Sequence, residues 1–276
     1  MLALTAVRRV FLTKILDSGE RLTIQVHPDR PTAKALFGSD YGKTEAWYII
    51  GGREIDGEAP YVLYGFKPGM TRERWEALFE SQDIEGMVCA LNKIRVEPGQ
   101  VFLVKGGMPH AIGPGCLMVE IQEPTDLTIR VERTTPSGNV IPDFMCHQGA
   151  GFERMFDCFH YETMEPEEVI GRFCLNPRVL VRNEQYIEQA LITYEDMPYF
   201  ALTRLDIEQT CTLRQEDSFS ALVGISGSGV LEWEEGSLEL KQGEQLLLPA
   251  GVASVRLTRR SQEPWQLVRC FPPKPL

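Results

Sequence analysis

Hydrophobic positions in this chain recur in short runs rather than in long stripes. Residues 22–26, 46–50, 61–64, 100–104, 116–121, 128–131, 221–225 and 245–248 alternate apolar with polar side chains or are rich in β-branched types. A period of two sends successive side chains to opposite faces of a sheet, so each run predicts a strand. Glycine and proline punctuate the runs at close intervals, the pattern of an antiparallel sandwich or barrel. The main departure is 71–91, where Trp75, Leu78 and Phe79 fall at helical spacing behind Thr71, a good N-cap. A second short helix is expected to begin at Glu165 and Pro166. Both helices belong outside the sheets, with the aromatic stripe of the first serving as packing surface.

Two segments about 144 residues apart echo each other. Val96-Glu-Pro-Gly-Gln-Val-Phe-Leu-Val104 and Leu240-Lys-Gln-Gly-Glu-Gln-Leu-Leu-Leu248 share a glycine turn, a polar residue and an apolar strand, and each then enters a second glycine turn. Continued in register, His110 of the first copy falls opposite Ser254 of the second. A duplicated barrel is the expectation, with the working half N-terminal. The boundaries drawn are 1–145 for a first barrel carrying a helical insertion near 71–91, 146–189 for a connecting segment, and 190–276 for a second barrel without metal ligands.

Charge and cysteine usage narrow the function classes. With 28 basic and 39 acidic residues the net charge is -11, so the overall field repels phosphodiester backbones and nucleic acid is not an expected partner. An anionic substrate must meet a locally positive site. The opening MLALTAVRRVFL is too short and too soon interrupted by Arg8 and Arg9 to read as a signal peptide or membrane span, and no other stretch approaches one. Seven cysteines without CxxC spacing suggest neither a disulfide scaffold nor a thiolate zinc site; they read as reduced thiols of a cytoplasmic protein.

Candidate chemistry gathers in the first half. In Gln25-Val26-His27 the outer two residues lie on one face of a strand, offering an amide oxygen and an imidazole together. Glu45 opens an apolar run, where a carboxylate needs a partner or a ligand to justify its burial. His110 follows a Gly-Gly turn at the start of another strand. Two imidazoles, a carboxylate and an amide suit a borderline divalent ion such as Zn²⁺, one per chain, with other divalent metals also admissible. His147 and His160 have no same-face partner and read as structural. Glu120 and Gln122 alternate on one strand, lining a polar cavity or satisfying buried backbone groups. Arg130 is a fork of donors for a carboxylate or phosphate, or else the partner of Glu132 or Asp126.

These residues stand in segments that resemble type I mannose-6-phosphate isomerases. Leu22-Thr-Ile-Gln-Val-His-Pro-Asp29, Gly42-Lys-Thr-Glu-Ala-Trp-Tyr48, Pro109-His-Ala-Ile-Gly113, Glu120-Ile-Gln122 and Asp126-Leu-Thr-Ile-Arg130 come in that family's order, with the spacing of its short bacterial form. The resemblance implies an all-β cupin fold (a double-stranded β-helix, or jelly roll) with two barrels in tandem. It further implies a zinc aldose–ketose isomerase acting on a sugar phosphate, interconverting mannose 6-phosphate and fructose 6-phosphate through an enediol. Gln25, His27, Glu45 and His110 would be its metal ligands, with Lys43, Glu120 and Arg130 in the catalytic machinery and Arg130 and Gln122 against the substrate.

The chain departs from the family pattern in three places. It starts after the family's usual N-terminal segment, Glu132-Arg-Thr-Thr-Pro136 replaces an aromatic-rich continuation, and Lys105-Gly-Gly stands where Pro-Ala-Gly is common. Arg133 is a candidate replacement cation. The competing functions are isomerisation of another sugar, a non-catalytic sugar-binding or regulatory cupin, and a redox-metal cupin such as an oxygenase.

Overall fold

The computed structural model describes residues 10–215 and 218–274; the N-terminal stretch through Arg9, read above as neither signal peptide nor span, lies outside the described residues. Among the described residues no helix is long and apolar enough to cross a membrane. The chain divides into two compact units, one of Lys14–Leu175 and one of Asn176–Leu276 together with the residues up to Thr13.

The strands and helices of the first part of the chain are β1 (Leu12–Asp17), β2 (Gln25–Val26), α1 (Arg30–Phe37), β3 (Glu45–Gly52), β4 (Tyr61–Phe66), α2 (Arg72–Ser81), α3 (Ile84–Cys89), β5 (Leu91–Arg95), β6 (Val101–Val104), β7 (His110–Ile112), β8 (Cys116–Gln122), β9 (Ile129–Arg130), α4 (Asp143–His147), α5 (Phe152–Met155), α6 (Pro166–Phe173) and β10 (Cys174–Leu175). Two five-stranded sheets result, in the orders β1-β8-β3-β6-β10 and β5-β4-β7-β2-β9. Their inner faces share one core, in which Trp47, Ile49, Phe102, Val104 and Met118 of the first sheet meet Val62, Tyr64, Ile94 and Ile112 of the second. The outer face of the second sheet is covered by helices: Ile24, Val26, Leu63, Ala111 and Ile129 pack with Trp75, Phe79, Met87 and Met155. Alternation therefore sorts every strand of the second sheet, odd positions of β2 to one side and even to the other. This is the cupin fold, an all-β double-stranded β-helix.

The predicted helix at 71–91 is two helices. Thr71 caps α2 by accepting from the Arg74 amide, but Gln82 turns left-handed (φ 50°) and Asp83 caps α3 by accepting from Gly86 N. A strong N-cap inside an apolar stripe restarts the helix at a new angle. The helix expected at Glu165 and Pro166 is α6, with Glu165 as its N-cap. Helix α1 was not expected, although its signals stand in the sequence: Asp29 accepts from Thr32 N, Pro31 occupies the first turn and Gly38 closes it at φ 66°.

The second unit continues with β11 (Arg178–Arg182), β12 (Tyr186–Ile192), β13 (Ala201–Ile207), β14 (Thr210–Arg214), β15 (Ser220–Ser226), β16 (Ser228–Trp233), β17 (Gly236–Lys241), β18 (Gln245–Leu248), β19 (Ser254–Arg259) and β20 (Trp265–Phe271). Its sheets run β11-β12-β13-β20-β15-β18 and β14-β19-β16-β17. The interior is filled by leucines, among them Leu205, Leu213, Leu222, Leu231, Leu257 and Leu267, around Trp265. The echoed segments occupy equivalent places: β6 pairs with β3 as β18 pairs with β15, both after a glycine of positive φ (Gly99, 96°; Gly243, 82°). His110 opens β7 and Ser254 opens β19. Where β16 and β17 join by a tight turn, β4 and β5 are separated by α2 and α3.

Candidate active site and metal centre

Three strands of the first unit aim polar side chains at one point of its interior. β2 carries Gln25 and, just past its end, His27; β3 opens with Glu45; β7 opens with His110. Gln25 is opposite both His110 and Arg130 in the sheet, which brings these residues together across more than eighty positions of sequence. His27, Glu45 and His110 are 1 %, 0 % and 0 % exposed. Glu45 Oε2 lies 3.3 Å from His27 Nε2 and its Oε1 3.5 Å from His110 Nε2. Gln25 Nε2 is 3.2 Å from His110 Nε2.

The tautomers follow from the outer partners. His27 Nδ1 donates to the Leu127 carbonyl and His110 Nδ1 to the Met108 carbonyl, each at 2.8 Å, because a carbonyl only accepts. Burial, reinforced by the Lys43 ammonium, pushes the His27 pKa down to about 3; burial also lowers that of His110. Both rings are thus neutral and turn an Nε2 lone pair to the centre, the state in which imidazole binds metal. Burial alone would raise the Glu45 pKa, but the Lys43 ammonium holds it well below the usual range. Its carboxylate also accepts from Trp47 Nε1 at 3.0 Å. The ligand atoms of His27, Glu45 and His110 all lie within 4.8 Å of one another, and this buried group could hold a metal ion. The donor set supports that: two neutral imidazoles and an ionised carboxylate converge, and the Lys43 ammonium lies 2.9 Å from both His27 Nε2 and Glu45 Oε2.

The turn at Gly106 and Gly107 fixes His27 from the other side. Gly107 N donates to the His27 carbonyl at 2.7 Å. A Cβ on Gly106 would stand 2.6 Å from the Asp29 Cα, and one on Gly107 2.4 Å from the His160 ring. His160 itself bonds Asp29 Oδ2 at 3.1 Å, and His147 accepts from Gly149 N; neither is part of the metal group.

Around this centre lie Glu120 and Gln122 on β8 and Arg130 on β9. Burial and the nearby Glu45 carboxylate raise the Glu120 pKa. Arg130 is half-buried, and burial lowers its pKa. The structure pairs it with neither Glu132 nor Asp126: its Nη1 donates to the carbonyls of Met145 (2.9 Å) and Thr128 (3.4 Å). Glu132 is taken by Arg21 and Asp126 by Lys14. Arg133 lies over the Phe79 and Phe152 rings, 5.3 and 4.5 Å from their centroids, on a groove of 580 Å³ that shares no residue with the metal group.

Comparison with known proteins decides the kinship. The probable mannose-6-phosphate isomerase GmuF of Bacillus subtilis is 40 % identical over 242 residues, 87 % of this chain and 69 % of that protein. This chain belongs to the mannose-6-phosphate isomerase family. The mannose-6-phosphate isomerase ManA of the same organism is 29 % identical over 89 % of this chain and 71 % of its own length. The crystal structure of a Bacillus subtilis mannose 6-phosphate isomerase superposes with a TM-score of 0.75 at 25 % identity, covering 94 % of this chain and 74 % of that one. The family model described as "Mannose-6-phosphate isomerase, cupin domain" matches residues 190–262, within the second unit.

One residue of this family member's site was missed from the sequence. Lys14, on β1, reaches Glu120 Oε1 at 3.1 Å and Gln122 Oε1 at 2.5 Å. Only the pairing of β1 beside β8 brings it there, across 106 and 108 positions, and no local signal in Leu12–Asp17 announces it.

Proposed function

We propose that this chain is a metal-dependent aldose–ketose isomerase that interconverts mannose 6-phosphate and fructose 6-phosphate, with Gln25, His27, Glu45 and His110 holding one Zn²⁺ or a similar divalent ion. The observation that carries the reading is the buried group of two neutral imidazoles and an ionised carboxylate beside the Lys43 ammonium, with Glu120 and its partner Lys14 near it. With its carboxamide turned so that the oxygen rather than the nitrogen faces His110 Nε2, Gln25 would complete an N₂O₂ donor set that suits a borderline divalent metal. A bound divalent cation supplies Lewis acidity, polarising a carbonyl oxygen of the open-chain sugar.

The residues of the chain carry the rest. Isomerisation takes a proton from C2 of the aldose and delivers one to C1, while the hydroxyl proton of O2 passes to O1; between these steps stands an enediol. A general base within hydrogen-bond reach of the C2 proton is required. Lys43 and Glu120 are its two candidates, one beside His27 and Glu45, the other held by Lys14. Arg130 offers its guanidinium to negative charge on the enediol or on the phosphate, and Gln122 lines the same wall. Seven free cysteines support a cytoplasmic location.

The test is metal content and conversion of mannose 6-phosphate to fructose 6-phosphate, for the wild type and His110→Ala side by side. Stoichiometric metal and turnover, both lost in the variant, are expected. Metal without turnover of any hexose phosphate would instead favour a sugar-binding cupin, and iron with oxygen uptake an oxygenase.

A further inference from the structure

We propose that Gln82 is a positioning residue for Arg130, its carboxamide bracing the backbone just past the end of β9. The kinetic part of the proposal rests on the isomerase reading; the structural part does not. β9 is two residues long and is the last strand of its sheet. On one side it pairs with β2, and the Val131 amide prolongs that pairing to the Ile24 carbonyl at 3.2 Å. Just past the end of β9, Gln82 Nε2 donates to the Val131 carbonyl at 3.2 Å, and Gln82 Oε1 accepts from the Arg133 amide at 2.8 Å.

One side-chain amide thus bonds two backbone groups of the 131–133 segment. The residue between them, Glu132, points the other way into a second grip: its buried carboxylate accepts from Arg21 at 2.6 and 2.9 Å and from Ile24 N at 2.6 Å. Residues 131–133 are held from both sides, and Arg130 is the residue just before them. A two-residue edge strand without such holds frays easily.

Gln82 is built for this place. It sits between α2 and α3 at φ 50° and ψ 40°, a left-handed conformation unfavourable for most non-glycine residues. Its Nε2 also donates to the Phe79 carbonyl at 2.7 Å, so both amide hydrogens and the amide oxygen are engaged. Trp75, Phe79 and Met87 root the two helices in the core, making the platform rigid.

Gln82→Met in the full-length, metal-loaded protein removes both bonds to the strand and keeps side-chain length. Expected are faster amide exchange at Arg133, unchanged metal content, and a kcat lower by about ten- to a hundredfold, since an error near 1 Å at a reacting site costs up to about a hundredfold. Gln82→Glu, which keeps the acceptor for Arg133 N, should fall between. In an Arg130→Met background Gln82→Met should change kcat no further. Wild-type exchange at Arg133 in Gln82→Met overturns the proposal whether or not the protein turns over sugar. So does a wild-type kcat, an undiminished effect in the Arg130→Met background, or a loss of metal that matches the loss of rate. A wild type without turnover sinks the isomerase reading alone, and amide exchange at Arg133 then decides for or against the clamp.

Discussion

Lys43 and Glu120 are both buried ionisable groups, and their surroundings give them different work. The Lys43 ammonium stands 2.9 Å from two of the metal-centre acceptors, so it is hydrogen-bonded to His27 and Glu45. Glu120 is a carboxylate whose proton affinity is raised by burial and by Glu45, and its salt bridge to Lys14 works against that rise. A carboxylate with raised pKa is a stronger base than an ordinary one. Lys43→Met and Glu120→Gln separate the roles. The variant that lacks the base should lose about 10²- to 10⁴-fold in kcat and stop incorporating solvent deuterium at C1 of fructose 6-phosphate. The other should chiefly raise KM or weaken metal binding. Equal, small effects in both variants would show that neither carries the proton.

At the scale of elements, the site depends on how closely the Gly106–Gly107 turn approaches the segment after β2. Gly106 has no positive φ, so its only demand is space: a methyl group there would press on the Asp29 backbone at 2.6 Å. Gly106→Ala is therefore expected to destabilise by about 1–3 kcal/mol, the usual range for overpacking, and to weaken metal binding by shifting His27. Gly171, exposed within α6 and with nothing within 4 Å of its would-be Cβ, gives the opposite sign; Gly171→Ala should stabilise by about 0.5–1 kcal/mol through helix propensity. Chemical denaturation of both variants, with metal analysis of the first, checks the pair. The same elements show what the sequence discloses. Alternation put Gln25 and His27 on one face, and glycine turns marked β6 and β18, because these are local facts of a two-residue period. The α1 boundaries are equally local, in Asp29, Pro31 and Gly38, but the helix is only eight residues long and follows closely on a strand. Lys14 beside Glu120, and Gln82 beside Val131 and Arg133, are products of sheet order and helix placement, which no window of neighbouring residues contains.

On the scale of the whole molecule, charge and metal chemistry are unevenly spread. The net charge of -11 would repel a sugar phosphate at long range, so on the proposed reading the attraction is local, from Lys14, Lys43 and Arg130. The metal donors are equally concentrated: all four histidines lie before residue 176, and the second unit's interior is a packed set of leucines around Trp265. A ligand that binds only the folded protein stabilises it by RT ln(1 + [L]/Kd), about 2.7 kcal/mol at a hundred times Kd. On the proposed reading that energy enters through β2, β3 and β7, whose first residues are Gln25, Glu45 and His110. Removing metal from the holoprotein with a chelator should therefore speed amide exchange in those strands and in the 127–131 segment that bonds His27 and Gln25. The strands β13, β15 and β20, which contribute no histidine and share a core of their own, should keep their protection. Hydrogen exchange followed by mass spectrometry reads both sets of peptides in one experiment. Equal loss of protection in β13, β15 and β20 would mean that the metal's contribution is not confined to the unit that holds its donors, and the assignment of the centre to Gln25, His27, Glu45 and His110 would then have to account for a cation bound elsewhere.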